Sequence, residues 1–179
     1  LFYRQISCRR GYRELADESR AGRLRAISMP ELHLIAHNIR SRENVGSLFR
    51  TADSLGVSKL WVTGYTPAPP DAKISKVALG AEEHVPYEHM IDLHKVIQGL
   101  RDGGYKIYAL ELTPDAIELA HFTPPAKMAL LLGTETTGIP PSLIAQCDGA
   151  IMMTQKGMKE SMNVAVATGI AAWKILCGS

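Results

Sequence analysis

The sequence predicts an α/β domain in which a mainly parallel sheet is flanked by helices. Short apolar runs alternate with amphipathic stretches after Pro30, and polar residues collect where the apolar runs end. The 179 residues are 46% hydrophobic and 21% charged, so an ordinary globular domain is expected rather than a disordered or fibrous chain. Because parallel strands need a crossover, which is usually a helix, this alternation favours a parallel sheet with right-handed connections.

The apolar runs predict five strands, and the stretches between them predict four helices. Strands are expected at 32–36, 59–63, 105–110, 128–132 and 150–153, and helices at 43–55, 91–100, 141–147 and 161–173. The proline-rich run 67–71 is expected to be a loop, since proline lacks the backbone donor that a strand ladder uses.

The first and last predicted helices differ in pattern. In 43–55 the apolar residues recur at helical spacing and Gly56 follows as a C-terminal cap, so Arg50 is expected to project away from the apolar stripe. The segment 161–173 has no charged residue, and its alanines and glycine keep it narrow. Such a helix is buried on most sides. Its burial could be against the sheet of its own chain or against a partner subunit.

The formal net charge of +2 is unevenly distributed. Residues 1–28 contain seven arginines and three acidic residues, a local balance of +4, whereas the remainder carries −2. An arginine-rich arm suits contacts with phosphates, and a solvated helix with internal ion pairs is the alternative. We therefore expect an arginine-rich N-terminal extension at 1–28 and a catalytic domain at 29–179.

Several classes of protein are disfavoured. Three widely spaced cysteines without a C-x-x-C pair argue against a disulfide framework and a zinc site, and they fit a reducing cytosol. His84, His89 and His94 are five residues apart, which would place them on different faces of a helix. His33 and His37 lie too far apart on a strand to chelate one ion. Neither a membrane span nor a signal peptide is recognised, and no metal is expected.

Three separated segments place polar residues beside apolar runs: 42–53, 133–138 and 157–164. Taken singly, each has a structural explanation. Asn44 can cap the helix that contains Arg50, and Ser161 can cap the last helix. Gly133 and Gly138 bracket Glu135 in what could be a simple turn. Because the segments lie next to predicted strand ends, they are expected to converge at one rim of the sheet.

The motifs themselves narrow the choice of enzyme. The glycines match neither the phosphate loop nor the dinucleotide fingerprint, and no G-x-S-x-G nucleophile elbow exists. In contrast, NVGSLFRTAD (44–53), LLLGTETTGIP (130–140) and GMKESMNVAVA (157–167) resemble, in this order, the three motifs of the SpoU, or TrmH-like, branch of the SPOUT methyltransferases. The resemblance covers about 32–176, and 78–86 also resembles a family segment.

The resemblance implies S-adenosyl-L-methionine as methyl donor and an RNA ribose 2'-hydroxyl as acceptor, on transfer RNA or ribosomal RNA. It also implies a C-terminal trefoil knot and a homodimer, and a cytoplasmic enzyme without membrane or metal partners fits it. Neither the knot nor the dimer follows from the pattern of strands and helices. Knots are so rare in proteins that topology rules alone would predict an unknotted chain.

The same resemblance assigns candidate site residues. The catalytic candidates are Asn44, Arg50, Glu135, Ser161 and Asn163, and the cofactor-binding candidates are Leu110, Gly133, Met153 and Met162. A guanidinium is protonated at any physiological pH, so Arg50 is expected mainly to orient the reactants and stabilise a developing oxyanion rather than to act as a base.

The third motif departs from the family pattern. Thr154 replaces the usual proline, Gln155 the following methionine, and Met162 a leucine. These substitutions concern the lining of the cofactor pocket, so the alternative of a catalytically idle RNA-binding module of the same fold remains. A third hypothesis, an unrelated doubly wound enzyme with a nicotinamide or phosphate ligand, depends on the fold pattern alone.

Overall fold

The computed structural model describes residues 29–158 and 161–178, so the arginine-rich segment 1–28 lies outside the described residues. Its strands are β1 Glu31–His37, β2 Lys59–Thr63, β3 Tyr87–Met90, β4 Lys106–Leu110, β5 Ile117–Glu118, β6 Lys127–Leu132 and β7 Gly149–Met152. Its helices are α1 Arg42–Leu55, α2 Ala72–Ala78, α3 Ala81–His84, α4 Leu93–Asp102, α5 Pro141–Ile144 and α6 Val164–Cys177. A short 3-10 helix spans Leu119–His121.

The seven strands form one parallel sheet in the order β3-β2-β1-β6-β4-β7-β5. The predicted fold class is therefore confirmed. β1 lies inside the sheet and its middle residues are buried, which is why it reads as a continuous apolar run. All carboxyl ends of the strands point to the same edge, and we call this edge the rim.

Helices cover both faces of the sheet. One face packs against α1, α2, α3 and α6 through residues such as Leu34 and Phe49, and the other packs against α4 and α5 through residues such as Ile35. α1 and α2 approach so closely that a Cβ on Gly46 would lie 2.7 Å from the carbonyl oxygen of Ile74. The glycine of the first motif is thus required by helix packing.

The structure differs from the predicted secondary structure in several places, since β3, β5, α2 and α3 were not predicted and the helix expected at 141–147 ends at Ile144. β3 was missed because it is an edge strand whose residues are half-buried or exposed, so it lacks an apolar run. His89 therefore lies in a strand and not on a helix. The last helix begins at Val164 instead of 161, because Asn163 caps it. The helix α4 begins at Leu93 rather than 91, after its own cap Asp92.

The last helix is buried on one side in this chain. Ala171, Ala172 and Ile175 belong to the core beneath α1 and β1. On its other side Val166, Ile170 and Trp173 are 53%, 44% and 56% exposed. The sheet of the same chain accounts for the first of the two alternative burials, and an apolar stripe of α6 stays exposed.

Candidate active site

A cavity of about 580 Å³ opens at the rim, beside the carboxyl ends of β4, β6 and β7. Its walls come from the segments that follow these three strands and from the start of α6. Seven of the nine candidates named from the sequence line it, namely Leu110, Gly133, Glu135, Met153, Ser161, Met162 and Asn163. Two catalytic candidates, Asn44 and Arg50, are not part of its lining.

The three motifs meet in a chain of hydrogen bonds beside this cavity. Asn163 Nδ2 donates to Asn44 Oδ1 at 3.0 Å, across 119 residues of sequence. Asn44 Nδ2 in turn donates to Glu135 Oε1 at 2.9 Å. The Glu135 carboxylate also accepts the backbone N–H groups of Arg40 and Ser41, both at 3.3 Å. We call Asn44, Glu135 and Asn163 the rim network.

The rim network keeps Glu135 ionised. Partial burial raises the pKa of this carboxyl, but hydrogen bonds from Asn44 and from the backbone of Glu135, Ser41 and Arg40 outweigh it, and the net effect is a pKa below the ordinary value. A carboxylate that accepts several N–H donors is stabilised in its charged form. Its role in this structure is to hold the β1–α1 loop against the β6 loop.

Both helix caps differ from the sequence interpretation. Ser41, not Asn44, caps α1, because its side-chain oxygen accepts the N–H of Asn44. The Asn44 side chain is thereby free to join the rim network. Asn163, not Ser161, caps α6, accepting the N–H groups of Ala165 and Val166. Ser161 makes no hydrogen bond with the described residues, so its hydroxyl is available at the cavity wall.

The β6 loop is tight and depends on its two glycines. Thr134 and Gly138 pair through reciprocal backbone hydrogen bonds of 3.2 and 3.1 Å, which leaves Glu135 near the tip. Gly138 has a φ of 64°, and a Cβ on Gly133 would lie 2.7 Å from the Gly138 carbonyl oxygen. The cavity wall at this loop is consequently bare backbone at Gly133 and Gly138.

Glu111 supports this loop and was not singled out from the sequence. It follows β4, and its Oε2 accepts the N–H of Ile139 at 2.7 Å. The signal that could have found Glu111 is its position. It is a carboxylate directly after β4, and polar residues also follow the neighbouring strands β6 and β7. Strand order was needed to recognise that these ends are adjacent.

The departures in the third motif have structural partners. Thr154 donates both its N–H and its hydroxyl to Glu118, with the hydroxyl at 2.6 Å from Oε2. Proline, the usual residue of the family, could make neither contact. The Gln155 side chain donates to the carbonyl of Met153 at 3.1 Å and lines the cavity, whereas Thr154 does not. Of the three departures, Gln155 and Met162 therefore lie in the cavity wall, and Thr154 does not.

Arg50 lies on the exposed side of α1, as its position off the apolar stripe predicts. It makes no hydrogen bond or ion pair with the residues that the structure describes. It stands six residues after Asn44, which is about 9 Å along a helix axis. Asn44 of the rim network and Arg50 thus share one helix, but Arg50 does not line the cavity of its own chain.

The sequence profile of the SpoU rRNA Methylase family matches residues 31–173. The chain belongs to this family. The matched region of this SpoU-family protein includes all three motifs, the rim network and the cavity. It ends shortly before the C-terminal end of α6.

Two relatives of this SpoU-family chain are named as RNA 2'-O-methyltransferases. A 23S rRNA (guanosine-2'-O-)-methyltransferase of Neisseria meningitidis is 33% identical over 147 residues, which are 82% of this chain and 58% of that protein. A tRNA (guanosine(18)-2'-O)-methyltransferase of Thermus thermophilus is 28% identical over 141 residues, 79% of this chain and 72% of that protein. This chain spans little more than half the length of the first of these relatives.

A solved structure has the same fold. The AdoMet-bound rRNA methyltransferase from Sinorhizobium meliloti superposes with a TM-score of 0.77 at 24% identity, over 82% of this chain and 56% of that protein. No cluster of three or more side chains suited to a metal ion occurs within 29–158 and 161–178. Over the same residues, no helix has the length and apolar character needed to cross a membrane.

Proposed function

We propose that this chain is an S-adenosylmethionine-dependent RNA methyltransferase that modifies a ribose 2'-hydroxyl of transfer or ribosomal RNA. The observation that carries the proposal is the rim network, in which residues from all three motifs meet beside one cavity. The named functions of the Neisseria and Thermus relatives support it, since both are RNA 2'-O-methyltransferases.

The cavity suits the proposed cofactor. Its volume of about 580 Å³ falls within the ~300–1,000 Å³ of typical small-molecule sites. Leu110, Met153 and Met162 supply apolar side chains, while the glycine loop supplies bare backbone that can hydrogen-bond a nucleoside. S-Adenosylmethionine would supply a methyl group on a positively charged sulfur, ready for displacement by an oxygen nucleophile.

The chain's own residues then divide into positioning and contacting groups. Asn44 and Asn163 hold each other and Glu135, so we assign the rim network to positioning. Ser161 offers its hydroxyl, which no described residue engages, to the ribose at the cavity wall. Arg50 contributes a positive charge on α1 for an RNA phosphate or for the oxygen that becomes negative as its proton leaves. Arginine's forked donors suit such an anion better than a lysine ammonium does.

The oligomeric state and the topology of the chain belong to the same proposal. The exposed stripe Val166, Ile170 and Trp173 supports a homodimer through α6, because uncovered apolar residues at helical spacing favour a partner helix. The return of α6 from β7 across to α1 supports a trefoil knot in the C-terminal half. Arginines of 1–28 are proposed to contact RNA phosphates, and the cytoplasm is the proposed location.

Methyl transfer from labelled S-adenosylmethionine to separated tRNA and rRNA, taken from cells that lack the gene, tests the proposal. We expect incorporation into one RNA class at a ribose 2'-oxygen, and a decrease of at least ~100-fold for Arg50→Ala with partial recovery for Arg50→Lys. Lys106→Gln, which removes a positive charge at the opposite edge of the sheet, is the matched control. Absence of transfer to any RNA by the wild type would contradict the proposal.

One observation favours a second candidate, an idle RNA-binding module. Gln155, which replaces a methionine of the family pattern, lines the cavity and donates a hydrogen bond to the carbonyl of Met153. Isothermal calorimetry with S-adenosylmethionine separates the two functions. Micromolar binding supports the enzyme, and no measurable binding together with retained RNA affinity supports the module.

A further inference from the structure

We propose that Tyr65 and Arg40 form a stacking platform for an unpaired nucleobase at or next to the methylated nucleotide. This inference rests on the proposed function, since it deepens how the same rim would hold RNA. It starts from an exposed aromatic ring. Tyr65 follows β2 at the rim and is 53% exposed.

Other exposed aromatic rings in the described part of the chain have different surroundings. Tyr87 packs edge-on against Phe49 and donates to the carbonyl of Pro69. Trp173 belongs to the apolar stripe of α6. Tyr65 instead has the Arg40 guanidinium over its ring at 5.7 Å from the centroid. Beside this arginine about half of Tyr65 stays exposed, which leaves ring surface for a further flat partner.

The Arg40–Tyr65 pair is physically joined to the rim network. The backbone N–H of Arg40 donates to Glu135 Oε2, while its side chain extends to the Tyr65 ring. The platform therefore lies within the reach of one arginine side chain from the Glu135 carboxylate. A nucleotide whose ribose enters the cavity has its base, or the base of its neighbour, in range of this ring.

The loops that carry the platform are held in a fixed arrangement. The buried Thr66 hydroxyl accepts the N–H of Ile39 at 3.0 Å and donates to the carbonyl of Ala36 at 3.1 Å. Asn38 Oδ1 accepts the N–H of Tyr65 at 3.1 Å. These contacts tie the loop after β1 to the loop after β2. Tyr65 is thus an exposed ring on a rigid support, which lowers the entropy lost when a base stacks on it.

Asn38 adds a second sign of a fixed arrangement. It is a non-glycine residue with a φ of 58°, which is uncommon and persists where surrounding contacts impose it. Its side chain bonds to the Tyr65 backbone and to the His37 ring. Gly64 is needed beside it, because a Cβ there would lie 1.9 Å from Asn38 Oδ1. The uncommon backbone conformation of Asn38 thus helps to hold Tyr65 in place at the rim.

RNA is the occupant whose chemistry matches the pair. Single-stranded RNA is recognised by stacking its bases on tyrosine rings and arginine planes, and each phosphate adds attraction to the arginine. A paired duplex cannot offer a free base face without opening. The platform consequently favours loops, bulges or ends over helices, and it would select where along an RNA the ribose is presented.

The test measures RNA binding, which does not require catalysis. The probe is a stem–loop RNA with 2-aminopurine in its loop, compared with a fully paired duplex of the same length, by fluorescence titration. We expect Tyr65→Ala to weaken stem–loop binding by about 5-fold to 100-fold and to leave duplex binding within about 2-fold. Tyr65→Trp and Tyr65→Phe should retain affinity and the quenching of 2-aminopurine. Arg40→Gln should also weaken stem–loop binding more than duplex binding, because it removes the guanidinium over the ring, and Lys106→Gln is its control for the loss of one positive charge.

The outcomes separate this inference from the proposed function. Equal weakening of stem–loop and duplex binding by Tyr65→Ala, or no weakening of either, would overturn the platform. Loss of affinity in Tyr65→Phe would also overturn it, because a phenyl ring still stacks. If the wild type binds the stem–loop through Tyr65 but transfers no methyl group, the platform stands and the methyltransferase proposal fails. Thermal melting of each variant verifies folding.

Discussion

The two edges of the sheet carry polar clusters of different kinds. At the amino edge, Glu31, His33, Trp61 and Tyr105 form what we call the amino-edge cluster. Trp61 Nε1 donates to His33 Nδ1 at 3.2 Å, His33 Nε2 lies 3.2 Å from the Tyr105 hydroxyl, and that hydroxyl donates to Glu31. The rings of His33 and Tyr105 lie 4.4 Å apart. These groups satisfy one another.

The rim network differs from the amino-edge cluster in its charge and in its position beside a cavity. Its carboxylate is held ionised by donors, and its side chains stand beside a cavity. In the amino-edge cluster, burial lowers the pKa of His33 to about 4 and raises the pKa of Tyr105 to about 12. His33 lies 3.8 Å from Glu31, yet its ring is uncharged at neutral pH, so this contact is not an ion pair there.

The difference between the clusters indicates a structural role for the amino-edge cluster and a functional role for the rim network. Closed polar groups that hydrogen-bond one another hold strands together, as the amino-edge cluster holds β1, β2 and the start of β4. Polar groups that join distant segments and leave a cavity open can receive a ligand. A perturbed pKa alone would have marked the amino edge as strongly as the rim, so geometry decides between them.

The largest expected effect is on the pH dependence of stability. The unfolded chain protonates His33 near pH 6.5, but the folded chain does so only near pH 4, so stability present above pH 6.5 is lost as the pH falls toward 4. This amounts to about 3 kcal/mol. Denaturant unfolding across this range should show a smaller loss for His33→Gln than for the wild type.

The control for this pH effect is His121→Gln, which removes an exposed histidine. It should retain the wild-type pH dependence. His37, whose pKa is also lowered by burial and by His94, should leave some slope in His33→Gln. Identical slopes in His33→Gln and the wild type would mean that the amino-edge cluster does not exclude the proton.

The next effect is at the rim network. Glu135→Gln replaces a carboxylate that accepts from Asn44, Ser41 and Arg40 by an amide with one acceptor oxygen, so the loops should shift relative to each other. We expect methyl transfer to decrease by about 100-fold, because small misplacements of reacting groups cost this much. Transfer assays measure the decrease in activity, and thermal melting measures the stability of the variant.

A fall in melting temperature smaller than that of His33→Gln is expected for Glu135→Gln at neutral pH, because the contacts that it loses are at the exposed rim. His33→Gln is its matched partner, since it should lower stability and leave transfer nearly intact below the melting range. If Glu135→Gln instead destabilised the protein as much as His33→Gln does, the division between a structural edge and a functional edge would be incorrect.

The smallest effect concerns the third motif. Thr154→Val removes one hydroxyl from Glu118 at an exposed site, so stability should fall by about 1 kcal/mol or less and cofactor affinity should stay within about 2-fold. Gln155→Met changes the cavity wall and should alter affinity more. Calorimetry with S-adenosylmethionine compares the two, and an equal change in both would contradict the assignment of Gln155 as the lining residue.

The sequence predicted the interior of the sheet better than its edges. β1 and β6 are buried along most of their length, so their apolar runs are unmistakable. β3 and β5 are short edge strands with exposed positions, and nothing local marks them. Helix caps were misassigned to Asn44 and Ser161, because the capping residue depends on where the backbone turns and several nearby polar residues can serve.

The sequence by itself determined the fold class and the family, since hydrophobic periodicity and three ordered motifs are local properties of the chain. The tertiary structure decided the rest of the site. It joined Asn44 to Glu135 and Asn163, moved the caps to Ser41 and Asn163, and left Arg50 outside the cavity. These facts depend on strand order and on contacts between residues about a hundred positions apart, and no local pattern encodes such contacts.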